Sequence, residues 1–319
     1  MKITVIGCGR WGSLITWYLS AIKGHSLTIY GRESSAHIQR FMVERKNDLL
    51  TLPEDVEIST DIECVRDADV IVISINSQGL RALMKQLHEL ELKNKTVVLC
   101  MKGLEIGTGK RLSQVAREYL DNSVEVAVWV GPGHVQEFYA GIPNCMVIDS
   151  DSDDVKQTLV REFSSELIRF YYGRDLLGSE IGAASKNIIG IAAGMLDGKG
   201  LSTLKGALMS RGTREIARLI DAMGGNELSA YGLCHLGDYE ATVFSKYSHN
   251  RAFGEAFVKG ERTEGLAEGY YTVKAILEYE KMYGLELPIC RTVYNILYEG
   301  ADPDKEMKAL FNRSLKQEF

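Results

Sequence analysis

The chain opens on strand-forming residues, Ile3-Thr4-Val5-Ile6, that run directly into Gly7-Cys8-Gly9-Arg10-Trp11-Gly12. A G-x-G-x-x-G pattern alone is weak, because glycine-rich turns are common. Between a strand and a helical pattern it is far more restrictive. The first glycine allows a tight turn, the second lets a pyrophosphate reach the backbone, and the third lets helix and strand pack closely. The N–H groups and helix dipole at Arg10, Trp11 and Gly12 then face the pyrophosphate. The same pattern in an ordinary structural βα turn is the alternative. Glycine is also in excess, 31 of 319 residues, about a tenth against a usual ~7%, as close backbone approaches require.

Such a fingerprint belongs in an alternating α/β domain, and the first half of the chain reads as one. Strands are expected at Ile3 to Ile6, Ser26 to Tyr30, Val70 to Ile73, Thr96 to Met101, Val124 to Val130 and Cys145 to Ile148. Helical spacing occupies 12–23, Gln78 to Leu92 and Leu112 to Tyr119. Continuous apolar strands between helices imply a parallel sheet covered on both faces. From Leu176 onward the pattern becomes helix upon helix, at 176–196, 203–223, 227–233, 263–283 and 289–298. The expected fold is an N-terminal doubly wound Rossmann-type α/β domain, residues 1–175, and an all-α C-terminal domain, residues 176–319, meeting near Asp175.

Several function classes fall away on composition. A net charge of −6 argues against a nucleic-acid partner, which calls for a basic face. No apolar run approaches the ~18 residues of a membrane span, and the opening residues lack the features of a secretion leader. The six cysteines are scattered without C-x-x-C, and the six histidines form no H-x-x-x-H, so free thiols in a reducing compartment and no metal are expected. The expectation is a cytoplasmic protein without membrane insertion.

Candidate site residues cluster at strand ends and on one helix. The second strand ends Tyr30-Gly31-Arg32-Glu33, with no acid at the position that accepts a ribose 2′-OH. Arginine suits a 2′-phosphate, so NADP(H) is favoured over NAD(H); the alternative is a solvated Arg32 with Glu33 on the ribose. Lys102, in Met101-Lys102-Gly103, sits past a buried strand at the edge where ligands bind in open α/β sheets. Gly131-Pro132-Gly133 ends the next strand in a turn that exposes backbone N–H groups. In Gly182-Ala183-Ala184-Ser185-Lys186-Asn187-Ile188-Ile189-Gly190, continuing to Gly194, positions 182, 186, 190 and 194 share one helix side. Each interior glycine costs about 1 kcal/mol, so the stripe needs a close neighbour. A lysine in that groove is desolvated, which favours its neutral form and suits acid–base work; a helix–helix seam with an outward lysine is the alternative. Asp238 is placed to orient Lys186 or to cap a helix, and Ser248-His249-Asn250-Arg251 forms a polar cluster fit for an anion.

With these residues assembled, the chain resembles NAD(P)-dependent sn-glycerol-3-phosphate dehydrogenase of the two-domain type. The likeness runs from Gly7-Cys8-Gly9 through Met101-Lys102-Gly103-Leu104-Glu105 to Lys186-Asn187 and Ala267-Glu268-Gly269-Tyr270. It implies hydride transfer between a nicotinamide and C2 of dihydroxyacetone phosphate or glycerol 3-phosphate, in a homodimer. It also implies Lys186 as proton-transfer lysine with Asp238 beside it, Lys102 against substrate and cofactor, and Glu268 near the nicotinamide. Gly131, Ser248 and Asn250 match substrate-binding positions. The departures gather at the substrate: Val130-Gly131-Pro132-Gly133 replaces Ser-Gly-Pro-Thr, Ile75-Asn76 replaces Pro-Ser or Pro-Asn, and His249 replaces the arginine that clasps phosphate. Histidine offers fewer fixed donors, and its charge changes near neutrality. A paralogous reductase of another small ketone or keto-phosphate, and an NADPH sensor without turnover, are the competing readings; the paired Lys186 and Asp238 weigh against the sensor.

Overall fold

In the computed structural model, residues 1–262, 267–314 and 317 are described. The chain divides into two compact units, Met1–Glu105 with Lys110–Glu180, and Ile106–Gly109 with Ile181–Phe319.

The first unit alternates strand and helix: β1 (Lys2–Ile6), α1 (Arg10–Trp17), β2 (Ser26–Tyr30), α2 (Ala36–Glu44), β3 (Glu57–Ser59), β4 (Val70–Ile73), α3 (Leu80–Glu89), β5 (Thr96–Leu99), α4 (Leu112–Arg117), β6 (Glu125–Val130), α5 (Val135–Tyr139), β7 (Asn144–Ser150), α6 (Asp153–Phe163) and β8 (Ile168–Tyr172). The sheet order is β3-β2-β1-β4-β5-β6-β7-β8. Chain order therefore reverses between β1 and β4, the switch point where open α/β sheets bind ligands beyond their strand ends. All adjacent pairs run parallel except β6 and β7, which pair antiparallel from Ala127↔Ser150 to Val130↔Val147. The sheet is thus mixed, not wholly parallel as the buried runs suggested. Between β6 and β7, α5 has only five residues, about 7.5 Å at 1.5 Å per residue, too short to run back along the six-residue β6 of about 20 Å.

The strands are apolar because both faces are covered. Val70, Ile71, Val72 and Ile73 are each at most 1% exposed. Trp129, Tyr18, Phe41, Phe138 and Phe163 fill the space between sheet and helices. Several elements went unread: α2, β3, α5, α6 and β8, although α6 carries Leu159, Val160 and Phe163 at helical spacing behind a Ser152 N-cap. The expected helix at 12–23 is α1 followed by a π-turn at Tyr18–Ile22.

The second unit contains most of α7 (Leu176–Gly198), then α8 (Lys205–Ala222), α9 (His249–Lys259), α10 (Glu268–Tyr283), α11 (Pro288–Tyr298) and α12 (Pro303–Phe311). The stretch expected as helix at 227–233 is a 3-10 turn, Glu227–Tyr231. Of the helix expected at 263–283, residues 263–266 lie outside the described residues. Neither α9 nor α12 was anticipated. The core gathers Ile189, Ala193, Tyr239, Val243 and Ile289.

The glycines of α7 explain how these helices meet. A Cβ on Gly194 would lie 1.9 Å from Arg251 O, and one on Gly198 2.5 Å from Val258. The demand is reciprocal on α9, where a Cβ on Gly254 would lie 2.1 Å from Ile191 O. Backbone packs on backbone, and the helix-propensity cost of glycine is offset by that approach. Among the described residues, no helix is long and apolar enough to cross a membrane, and no group of three metal-ligating side chains occurs.

Two glycine substitutions separate these effects. Gly194→Ala is expected to destabilise the protein by about 1–3 kcal/mol through overpacking. Gly206→Ala, on α8 where a Cβ meets nothing within 4 Å, is expected to stabilise it by about 0.5–1 kcal/mol. Urea-unfolding midpoints read both; shifts of the same sign would remove the close-approach argument.

Candidate active site

In the first unit the fingerprint glycines answer three different demands. Gly7 has φ +113°, and a Cβ there would lie 2.1 Å from Ser74 O beyond β4. A Cβ on Gly12 would strike Gly7 O at 1.9 Å, so this glycine seats α1 against the turn. Gly9 is different: a Cβ would meet nothing within 4 Å. No packing need of the chain explains its missing side chain, whereas a group approaching the backbone does. Gly9 is also the N-cap of α1, with no side-chain cap and no acid in the first turn. The first N–H groups of that helix lack intrahelical partners. These features fit a dinucleotide pyrophosphate. Arg10 is exposed, and Trp11 packs its ring against Phe138 at 6.1 Å.

The end of β2 is shaped by sterics. A Cβ on Gly31 would fall 2.5 Å from Cys8 Sγ and 2.8 Å from Ile38 Cβ. No acidic side chain fits at that position. The first side chains beyond it, Arg32 and Glu33, are both exposed.

The structure brings Lys102 and the Gly131 turn together, through adjacent strands β5 and β6. Lys102 Nζ donates to Gly131 O at 2.6 Å. The motif around it is anchored on three sides: Leu104 is fully buried, Gln78 Nε2 donates to Leu104 O at 2.8 Å, and Arg81 grips Glu105 with bonds of 2.7 and 2.8 Å. Gly131 and Gly133 have φ +133° and +139°, a region only glycine adopts without strain. A Cβ on Gly133 would also lie 2.2 Å from the Phe138 ring.

The second unit assembles the other candidates around α7. Lys186 is 8% exposed and Asp238 1%. Lys186 Nζ pairs with Asp238 Oδ2 at 2.7 Å and donates to Thr242 Oγ1 at 2.8 Å. Thr242 in turn donates to Asp238 O at 2.7 Å. The expectation of a lysine turned neutral in an apolar groove omitted this counter-charge: the groove holds the ammonium against a carboxylate. Asp238 ends a 3-10 turn, Leu236–Asp238, and a π-turn follows at Glu240–Phe244. The glycine stripe makes room for these segments. A Cβ on Gly182 would lie 3.1 Å from Cys234 and His235, and one on Gly190 2.7 and 3.2 Å from Thr242 and Asn250.

Behind Asp238 lies His235, fully buried between Gly182 O (2.8 Å from Nδ1) and the Tyr239 hydroxyl (2.7 Å from Nε2). Burial pushes its pKa down to about 4, so the ring is neutral at physiological pH.

Asn187, next to Lys186, extends the network. Asn250 Nδ2 donates to Asn187 Oδ1 at 3.0 Å, and Gly269 N donates to Asn250 Oδ1 at 2.9 Å. The stretch 248–251 forms the start of α9. Ser248 is its N-cap, accepting from Arg251 N at 3.3 Å, and His249 is exposed in the first turn. Glu268 opens α10 beside Gly269. Arg251 is held elsewhere: Nη1 contacts Asp197 at 2.5 Å and Glu255 at 3.2 Å, and Nε donates to Ser245 O at 3.2 Å. Lys186, Asp238, Asn250 and the start of α10 therefore form one network. Thr242 and His235 were missed by sequence reasoning; the only signal for Thr242 was its spacing four after Asp238.

Comparison with known proteins agrees along the whole chain. A family model described as NAD-dependent glycerol-3-phosphate dehydrogenase N-terminus matches residues 2–156, and the corresponding C-terminus model matches residues 175–308. Glycerol-3-phosphate dehydrogenase (NAD(P)+) of Prosthecochloris aestuarii is 37% identical, covering 100% of both chains. That of Thermoanaerobacter sp. is 34% identical over 100% of this chain and 99% of the relative. The crystal structure of glycerol-3-phosphate dehydrogenase from Coxiella burnetii superposes with a TM-score of 0.90 at 27% identity, covering 98% of this chain and 99% of that one. D-mandelate dehydrogenase with NADH, at TM-score 0.60 and 15% identity over 97% of this chain and 99% of that one, shares the fold alone.

Proposed function

The chain belongs to the NAD-dependent glycerol-3-phosphate dehydrogenase family, and from that premise we propose how its two units carry out the chemistry. It is an NAD(P)-dependent dehydrogenase that moves a hydride between the nicotinamide and C2 of dihydroxyacetone phosphate or glycerol 3-phosphate. When bound, the reduced nicotinamide supplies the hydride and its oxidised form takes it back. The first unit, read as residues 1–175, binds the cofactor: the Gly7–Gly12 turn holds the pyrophosphate, and Arg32 takes a ribose 2′-phosphate. Lys102 serves both cofactor and substrate, and Glu268 lies on the nicotinamide side.

Lys186, in the substrate unit read as 176–319, donates a proton to the C2 oxygen as the hydride reaches C2. The products are an alcohol and a neutral amine, which regains its proton from solvent. Asp238 and Thr242 orient Nζ so that its remaining hydrogen can point at the oxygen. The observation that carries this reading is the buried Lys186–Asp238 pair at 2.7 Å. Such preorganised acid–base groups contribute roughly 10²–10⁴-fold to rate. Ser248, His249, Asn250, Gly131 and Gly133 are assigned to the substrate. The homodimer implied by the resemblance and the cytoplasmic location expected from the sequence complete the reading.

A second reading, reduction of another small ketone, draws on one observation. His249 replaces the phosphate-clasping arginine, and Arg251 is already engaged by Asp197, Glu255 and Ser245 O. Recruiting Arg251 would take from Asp197 one of its two cationic partners, Lys205 at 2.6 Å being the other, so phosphate recognition rests on weaker donors.

Three measurements test these assignments. Lys186→Met should lower single-turnover reduction by roughly 10²–10⁴-fold while cofactor affinity, followed by nicotinamide fluorescence, stays within about twofold; retention of a tenth of the wild-type rate would remove Lys186 from the mechanism. The kcat/KM ratio for NADPH over NADH should exceed one and fall towards one in Arg32→Ala, whose exposed side chain carries no fold. His249→Arg should lower the KM for dihydroxyacetone phosphate by about tenfold to a hundredfold, the worth of one charge-assisted bond. No change in that KM would mean that another group holds the phosphate.

A further inference from the structure

His235 takes no part in the proton transfer proposed above, yet it is tied to both halves of the Lys186–Asp238 pair. Its ring meets Gly182 O at 2.8 Å through Nδ1 and the Tyr239 hydroxyl at 2.7 Å through Nε2. A carbonyl oxygen only accepts, so Nδ1 carries the proton. The buried ring is neutral at physiological pH and holds one proton, so Nε2 accepts and Tyr239 donates.

The two bonds have different consequences. Gly182 belongs to α7, one turn before Lys186, and in an α-helix the carbonyl of residue 182 also accepts the N–H of residue 186. The imidazole therefore grips the turn from which the lysine projects. A Cβ on Gly182 would lie 3.1 Å from His235 Cβ, so the glycine there gives the ring its access. On its main chain, His235 O accepts from Asp238 N at 3.0 Å. That bond holds the 3-10 turn Leu236–Asp238, from which the carboxylate projects. The Tyr239 hydroxyl, fully buried, leaves the ring no freedom to exchange its proton between the two nitrogens.

We propose that His235 is a positioning residue for the proton transfer: through Gly182 O and Asp238 N it holds Lys186 and Asp238 in register, and Tyr239 fixes its tautomer. His235 acts through Lys186, so this role rests on the reading of Lys186 as proton donor. A side chain that only filled the space would need neither bond, and substitutions that separate shape from donor position distinguish the two.

Steady-state reduction of dihydroxyacetone phosphate by the full chain with NADPH provides the test. His235→Ala is expected to lower kcat by about tenfold to a hundredfold, as small misplacements of a reacting group do, while the KM for dihydroxyacetone phosphate changes by less than about threefold. Asparagine places its amide nitrogen near the position of Nδ1, so His235→Asn should recover kcat to within about threefold of the natural protein. Glutamine is closer to histidine in volume but carries its amide near the position of Nε2, so His235→Gln should stay as slow as His235→Ala. Tyr239→Phe, which removes a single hydroxyl, should lower kcat by about threefold to tenfold; it and the Asn–Gln order decide the matter even where His235→Ala fails to fold. In a Lys186→Met background, His235→Ala should cost no further rate, because residues that act as one unit are not additive. A fast Lys186→Met would remove the lysine from the mechanism and this role with it. A slow Lys186→Met combined with His235 losses that add to it, with losses carried in KM, or with kcat higher for Gln than for Asn would overturn the positioning role alone.

Discussion

The close approach of backbone to backbone along α7 is the constraint on which the helical unit depends. Gly194 and Gly198 admit α9, Gly190 admits Thr242 and Asn250, and Gly182 admits Cys234 and His235. A methyl group would block the approach at Gly190, Gly194 and Gly198 and crowd it at Gly182. The stripe thereby delivers to Lys186 a carboxylate from one neighbouring segment and to Asn187 an amide from another. A lysine buried to 8% exposure without that delivery would carry an uncompensated charge, at a cost of several kcal/mol. The glycines and the ion pair are one device: the first makes room for the partner that the second requires.

Buried carboxylates play a second recurrent part, holding the starts of helices. Asp149 on β7 accepts from Asp175 N at 3.1 Å and Ser179 Oγ at 2.8 Å at the head of α7. Glu180 accepts from Ser113 N at 2.8 Å and Ser113 Oγ at 2.6 Å at the head of α4, with Arg111 alongside. Glu215 serves α11. Helix N-termini present unpaired N–H groups and partial positive charge, so a remote carboxylate satisfies both at once. Burial nonetheless raises all three acids, Glu215 to about 7. Its folded value lies above its ordinary one, so stability from this group is present at low pH and declines as pH rises through neutrality.

The substitutions at the substrate side are tied to the packing beneath them. Gly133 stands where the resemblance implies a threonine, and a Cβ there would collide with Phe138. Phe138 is itself buried and meets Trp11 of the cofactor turn. Restoring a hydroxyl at 133 therefore means moving a core aromatic, so this departure and the filling of the core are coupled. His249 has no such constraint, since it is exposed at the start of α9. The change there alters the available donors and leaves the fold untouched.

Much of the molecule was legible in the sequence because its determinants are local. The strand–glycine–helix entry at Ile3 to Gly12, the apolar run Val70 to Ile73 and the four-residue spacing of Gly182, Lys186, Gly190 and Gly194 each depend on residues within a turn or two of one another. The α/β first half followed by a helical second half and the lysine-bearing glycine helix followed from them, and the family resemblance rested on the same short motifs. α9 and α12 also carried local signals, Ser248 and Gly260 at the ends of one and Asp302-Pro303 at the start of the other, but these caps are common outside helices and were passed over. Only the tertiary structure decided that β7 runs antiparallel to β6, that Lys102 reaches Gly131 O, and that Thr242 and His235 stand beside the Lys186–Asp238 pair. Those outcomes join groups dozens of residues apart. A hydrogen bond or ion pair of about 3 Å cannot be read from residue identities until the packing of helices and strands sets the distance between them.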